Sequence, residues 1–116
     1  MVIRRGEIWW TDLPDPVASG PGYRRPVLIV QDDKFNNSKI STVVVAVITT
    51  NLNIARAKGN VLIGPKHSGL PKESVINVSQ LFTIDKSLFL EYVETLSDSK
   101  MKLVDEGLRL VLSLPQ

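Results

Sequence analysis

GPGYRRPVLIVQDD, residues 20–33, runs from a glycine- and proline-bearing loop through two arginines into an unbroken apolar run and stops at two aspartates. PVLIVQ, residues 26–31, shows no polar alternation before Gln31, the pattern of a strand covered on both faces. Pro26 biases Arg25 towards extended backbone, which predicts a stiffly held guanidinium at the mouth of that strand. Arg24, its neighbour, faces the other way on an extended chain. Two readings of the pair stand at this point. In one, the loop has a soluble end and Arg25 makes a surface ion pair with Asp32, Asp33 or another acid. In the other, a rigid strand carries a phosphate-binding group, a task suited to the bidentate donors of arginine.

Working outward, the flanking segments also read as strands. EIWWTD, residues 7–12, predicts a short strand on which Trp9 and Trp10 point to opposite faces, one of them in the core. LPDPVASGPGY, residues 13–23, carries three prolines and two glycines and predicts a long loop, of a length that is often functional. TVVVAVITT, residues 42–50, is the most β-prone window of the chain. Asp32 to Lys39 read as a turn, residues 51–59 as a basic loop, Asn60 to Ile63 as a short strand and GPKHSGLPKE as a second loop. SVINVSQLFTI, residues 74–84, alternates imperfectly and predicts a strand that bends or changes partners. Residues 86–96 predict a helical turn and a short strand.

From Ser97 the period changes. Met101, Val104, Leu108 and Val111 recur at helical spacing, with Asp105, Glu106 and Arg109 off that face. Ser97 or Ser99 is the expected N-cap, and Asp98 favours the dipole of the first turn. Many short strands closed by one amphipathic helix predict a mainly β fold with a C-terminal helix, a small curled antiparallel sheet or barrel. The length of 116 residues and the absence of repeats predict a single domain over 1–116.

Charge is unevenly spread. Residues 41–72 carry Arg56, Lys58, Lys66 and Lys72 and no acid, whereas residues 73–116 carry seven acids against four basic groups. A wholly basic middle suits an anionic partner, although four solvated loop charges would read the same way. There is no cysteine, so disulfides and thiolate chemistry are excluded. No apolar run approaches the roughly 18 residues of a spanning helix, and MVIRRGEIWW has no signal-peptide core. The expected location is the cytoplasm, with no membrane partner.

One histidine and no cysteine leave no recognisable metal-ligand spacing, so no metal and no cofactor are expected. His67, in KHSG, reads as a solvated loop residue and would be the only base for a nucleophile triad. GPKHSG lacks the ending of a phosphate loop. What remains is Arg25, hydroxyl-bearing strand ends and basic loops. If the strands of residues 26–31 and 42–50 are antiparallel neighbours, the start of one lies beside the end of the other, bringing Thr49 near Arg25. An arginine and a hydroxyl, without metal or histidine, can stabilise one plausible reaction: attack of an RNA 2′-OH on its adjacent phosphate. The nucleophile is built into the substrate, and the site must neutralise developing charge.

RGEIWWTDL, GYRRPVLIVQDD, VVAVITT and SVINVSQLFTIDK, in this order, resemble the MazF/PemK toxin family, the Kid-like mRNA interferases, over about Ile3 to Leu112. The resemblance implies an SH3-like β-barrel with an added C-terminal helix, usually a homodimer. It implies a toxin of a toxin–antitoxin pair, held inactive by an antitoxin with a flexible acidic segment. The implied activity is sequence-selective, metal-independent cleavage of single-stranded RNA, leaving 2′,3′-cyclic phosphate and 5′-OH ends. By the family pattern Arg25 and Thr49 are catalytic, Thr50 stands behind Thr49, and Gln80 contacts RNA. Ser19 falls in the first long loop, where ASGPGY departs from more polar relatives. Arg24, not a fixed feature of the family, is a phosphate-contact candidate or a solvated charge, and Arg56, Lys58, Lys66 and Lys72 would steer the RNA backbone. One of Trp9 and Trp10 could offer a face for a base, against the plainer reading of both as core.

Three alternatives remain beside this one. A CcdB-like toxin shares the fold, binds a topoisomerase and cleaves nothing. A non-catalytic barrel binds RNA without product. An SH3-like module for proline-rich peptides would need an exposed aromatic groove, a poor fit to an aromatic content of 6%.

Overall fold

The computed structural model describes residues 2–13 and 23–115, with Tyr23 described by its backbone alone. The described residues form six strands: β1 (Glu7–Leu13), β2 (Tyr23–Ile29), β3 (Thr42–Thr49), β4 (Val61–Ile63), β5 (Ser74–Asp85) and β6 (Phe89–Thr95). Helical turns α1 (Asp33–Asn36) and α2 (Pro65–Ser68) and 3-10 turns at Leu52–Arg56 and Lys86–Leu88 join them, and helix α3 (Asp98–Leu112) closes the chain. The strands make one antiparallel sheet in the order β4-β5-β3-β2-β1-β6. This is the expected mainly β architecture, a curled sheet or half-barrel with a C-terminal helix. The long loop and Ser19 expected between β1 and β2 involve residues 14–22, which lie outside the described residues.

The two-residue period of the strands divides the core between the two faces of the sheet. Ile8, Leu28, Ala46, Ile48 and Ile76 lie on one face, joined by Val104 and Leu108 of α3. Trp9, Val27, Ile29, Val43 and Val45 lie on the other, with Ile84 and Phe89. Val27, Leu28 and Ile29 are all fully buried, as the unbroken apolar run of β2 requires. Trp9 and Trp10 part as expected: Trp9 enters the core edge-on to Phe89 and Tyr92, and Trp10 stays half-buried on the opposite face.

Some boundaries differ from expectation. β2 begins at Tyr23, so Arg24 and Arg25 lie inside the strand and not before it. The cause is β1, which pairs Leu13 with Tyr23, Asp12 with Arg24 and Thr11 with Arg25. The buried Thr11 hydroxyl also donates to the Arg25 carbonyl at 2.8 Å. Residues 33–36, read as part of a turn, and 65–68, read as loop, each close one helical turn; Asp32 caps the first by accepting from the Lys34 N–H at 2.8 Å.

β5 bends as its pattern suggests. Val47 of β3 pairs with Asn77 and Ala46 with Leu81, so Val78, Ser79 and Gln80 bulge out of the ladder. In α3, Ser97 is the N-cap, accepting from the Lys100 N–H at 3.3 Å. Val104 and Leu108 are buried, but Val111, expected on the same face, is 41% exposed. Gly107 explains how closely α3 approaches: its backbone lies against Gly59, and a Cβ there would stand 2.2 Å from the Gly59 carbonyl oxygen.

Candidate active site

The ladder between β2 and β3 runs through Ile29–Val45, Leu28–Ala46 and Val27–Val47 and stops there. Pro26, next in line, has no N–H to give a ladder. Beyond it the strand ends part. Continuing the same register by two residues brings Arg25 level with Thr49. Both line a cleft of about 250 Å³, with Trp10, Arg24, Pro26, Ile48 and Thr50. Leu70, Pro71, Lys72 and Ser74 complete its described lining. The cleft draws Arg24, Pro26 and Ile48 from one strand parity and Arg25 and Thr49 from the other, so it sits across the opened end of the pair.

Among its described lining residues three side chains are cationic and none is a carboxylate. In a partly desolvated concavity such an arrangement favours a bound polyanion. Thr49 is half-buried, and its Oγ1 accepts from the Asn51 N–H at 3.2 Å. Asp33, one of the acids weighed as a partner for Arg25, accepts from the Arg5 N–H at 2.7 Å and the Asn36 side chain at 2.9 Å.

Arg24 has a different setting. Its Nη2 meets Glu91 Oε2 at 3.1 Å, and its guanidinium carbon lies 5.0 Å from the centre of the Trp10 ring. The pairing of β1 and β6 puts Glu91 opposite Trp10. Both partners of the ion pair are more than half exposed, at 55% and 63%. An exposed pair contributes about 0–1 kcal/mol, and an exposed cation–π contact about 0.5–1 kcal/mol. Arg24 is therefore lightly held.

The other sequence candidates form a second group. Arg56 and Lys58 are exposed on the 3-10 turn and loop before β4, and Gln80 is exposed in the β5 bulge. None of the three lines the cleft. Asn60 ties their two segments together: its side-chain N–H donates to Ile54 O at 2.9 Å, and its Oδ1 accepts from Val78 N–H at 3.0 Å. Lys66 and His67 are exposed on α2. Among the described residues no group of three or more His, Cys, Asp or Glu side chains is placed to hold a metal ion.

Sequence reasoning missed Ser74 and Glu91. Ser74 precedes Val75, the β-partner of Thr49, and is 2% exposed, with its hydroxyl donating to Lys72 O at 2.9 Å. A register for β3 and β5 would have found it. Glu91 is brought to Trp10 by a pairing between distant segments that leaves no local signal.

A family model described as PemK-like, MazF-like toxin of type II toxin-antitoxin system matches residues 4–112. The chain belongs to this toxin family. Among MazF-like relatives, Endoribonuclease MazF6 of Mycobacterium tuberculosis (strain ATCC 25618 / H37Rv) is 45% identical over 114 residues, covering 98% of this chain and 100% of that protein. Endoribonuclease EndoA of Bacillus subtilis (strain 168) is 37% identical, covering 98% of this chain and 97% of that protein. The fold is also that of MazF toxins. A mycobacterial endoribonuclease solved in complex with its cognate antitoxin superposes with a TM-score of 0.75 at 23% identity, covering 98% of each chain. Mycobacterium tuberculosis toxin MazF-mt6 does so with a TM-score of 0.76 at 22% identity, covering 95% of this chain and 99% of that one.

Proposed function

We propose that the chain is the endoribonuclease toxin of a toxin–antitoxin pair and that Arg25 and Thr49 carry its chemistry. Membership of the MazF-like family and the 45% identity to an endoribonuclease support the activity. The observation that carries the site is the meeting of Arg25 and Thr49 in one cationic cleft at the open end of β2 and β3.

The substrate is single-stranded RNA, cut at chosen sequences. The 2′-oxygen attacks the adjacent phosphorus, a 2′-O–P bond forms and the P–O5′ bond breaks. The 2′-OH proton passes to solvent, and the departing 5′-oxygen takes one from solvent. The products are a 2′,3′-cyclic phosphate and a 5′-OH. Arg25 neutralises charge on the non-bridging oxygens as the phosphorus becomes five-coordinate, and the Thr49 hydroxyl orients the phosphate. Thr50, Arg24 and Lys72 bind the RNA backbone at the cleft, and Arg56, Lys58 and Gln80 lie along its path; Ser19 is carried over as an RNA contact from the family pattern alone. The attacking group belongs to the RNA, so the reading requires no metal, and DNA is not a substrate.

The same reading makes the chain a single-domain cytoplasmic protein that acts as a homodimer. Its antitoxin covers the cleft with a flexible acidic segment. Among the described residues no helix is long and apolar enough to cross a membrane. A CcdB-like mode on a topoisomerase or a non-catalytic RNA-binding mode uses the same fold without cleavage.

The test is incubation of the purified protein with a long single-stranded RNA in EDTA, beside Arg25→Ala and Thr49→Val. Discrete cuts with cyclic phosphate ends are expected. Arg25→Ala should reduce the rate by about 10²–10³ or more, the usual effect of deleting one charge-stabilising donor. Cleavage by folded Arg25→Ala at the wild-type rate removes Arg25 from the mechanism, and no cleavage by folded wild type favours the non-nuclease modes.

A further inference from the structure

We propose that Trp10 is a stacking platform for an RNA base and that Arg24, held over it by Glu91, is a displaceable cover. The proposal deepens the reading of the cleft as an RNA site and rests on it.

The argument begins with strand parity. Trp10 lies opposite Pro26 on β2 and opposite Glu91 on β6. Arg24, two residues from Pro26, shares that face. The ring of Trp10 packs with the core cluster that contains Ile8 and Leu28, yet the residue is only half-buried and lines the cleft. The Arg24 guanidinium, 5.0 Å from the ring centre, occupies the place above the indole, and the Glu91 carboxylate at 3.1 Å keeps it there. Trp9 does not compete for this role, because it is 9% exposed and packed between Phe89 and Tyr92.

The three groups stand in for the parts of a nucleotide complex. Glu91 supplies Arg24 with an anion, which an RNA phosphate can replace with better bidentate geometry. Arg24 supplies Trp10 with a planar cation, which a nucleobase can replace by stacking. Base–aromatic stacking tolerates any base, because every base has a π-face. The contacts that must break are exposed and weak, and those that form are charge-assisted and stacked. Arg24 moves from carboxylate to phosphate, and the indole face opens in the same step. Trp10 thus anchors a nucleotide beside Arg25 and Thr49 without itself touching the reacting atoms.

The chain has two tryptophans, which makes a direct test practical. Trp9→Phe leaves Trp10 as the sole indole, and Trp10→Phe leaves Trp9. Each is titrated with 2′-O-methyl RNA of random sequence, which cannot be cleaved because its 2′-oxygen is blocked. The expected result is a salt-sensitive quench in Trp9→Phe and none in Trp10→Phe. If Trp9→Phe is poorly folded, the difference between wild type and Trp10→Phe gives the same reading. Glu91→Gln is expected to tighten binding about 3-fold, since it removes a competing anion. In cleavage, Trp10→Leu is expected to raise KM at least 5-fold with kcat within 3-fold, and Trp10→Phe to restore most of that loss. A quench of equal size from Trp9, or an unchanged KM in Trp10→Leu, overturns the platform. Weaker binding by Glu91→Gln overturns the cover. Wild type that cleaves while these fail leaves the nuclease reading intact. Wild type that does not cleave but shows the Trp10 quench removes the nuclease and keeps the platform.

Discussion

Gly59 and Gly107 meet backbone to backbone: a Cβ built on Gly107 would lie 2.2 Å from Gly59 O and 3.0 Å from Gly59 C. Gly107 lies within α3, where alanine is intrinsically preferred by about 1 kcal/mol. Propensity and packing therefore predict opposite signs for the same substitution. Packing should win, because the obstacle is backbone and not the movable end of a side chain. Gly107→Ala is expected to lose about 1–3 kcal/mol, the usual range for overpacking, read as a lower urea midpoint at unchanged slope. An equal or higher midpoint would show that α3 can shift away from Gly59 freely.

Asn60 joins the basic loop to the β5 bulge through Ile54 O and Val78 N–H. Asn60→Ala leaves both backbone groups without this partner and is expected to cost about 1–3 kcal/mol. On the proposed function it also loosens the placement of Arg56, Lys58 and Gln80 while leaving Arg25 and Thr49 in place. Cleavage of a long RNA should then spread to additional sequences at a similar rate per cut. An unchanged cut pattern would separate this patch from sequence choice.

Asp33 gives a prediction in pH. Burial alone would raise its carboxyl, but hydrogen bonds from the Asn36 side chain and the Arg5 N–H, with the charges of Arg4 and Arg5, outweigh burial and hold it below 3.8. A depressed folded value means that its contribution is complete well above 3.8 and is lost as pH falls through that lower value. The difference in urea midpoint between wild type and Asp33→Asn should be constant from about pH 5 upward and shrink in more acid solution. A difference that does not vary with pH would mean that the charge of Asp33 is not what its partners recognise.

The parts of the site that were legible in the sequence are those fixed by local pattern. The apolar runs of β2 and β3 are so strongly β-prone that both strands were legible; the approach of Thr49 to Arg25 followed only on the condition that the two strands are antiparallel neighbours, which their pairing meets. Ser97 and the 3.6-residue period located α3 because cap and periodicity agree. What failed depended on distant segments. Pro26 read as a boundary, whereas pairing with β1 carries the strand back to Tyr23. Val111 matched the buried stripe of α3, but it stays exposed in the folded chain. The roles of Trp9 and Trp10 could be divided by alternation but not assigned, since the choice depends on which face receives Phe89 and Tyr92. Glu91 and Asn60 act through contacts that no nearby residue announces.

The described lining of the cleft contains arginine, lysine, hydroxyl-bearing and apolar residues and no histidine, while His67 stands outside it on α2. Histidine is the side chain that ordinarily changes charge in the physiological range, and arginine does not. On the proposed function, acidification of the cell is therefore no brake on this protein. Restraint falls to stoichiometry. While antitoxin is in excess and binds tightly, every cleft is covered. Once the antitoxin is depleted past equivalence, each further molecule of toxin is fully active. Such a response has a threshold, and the rates at which the two proteins are made and degraded set its position.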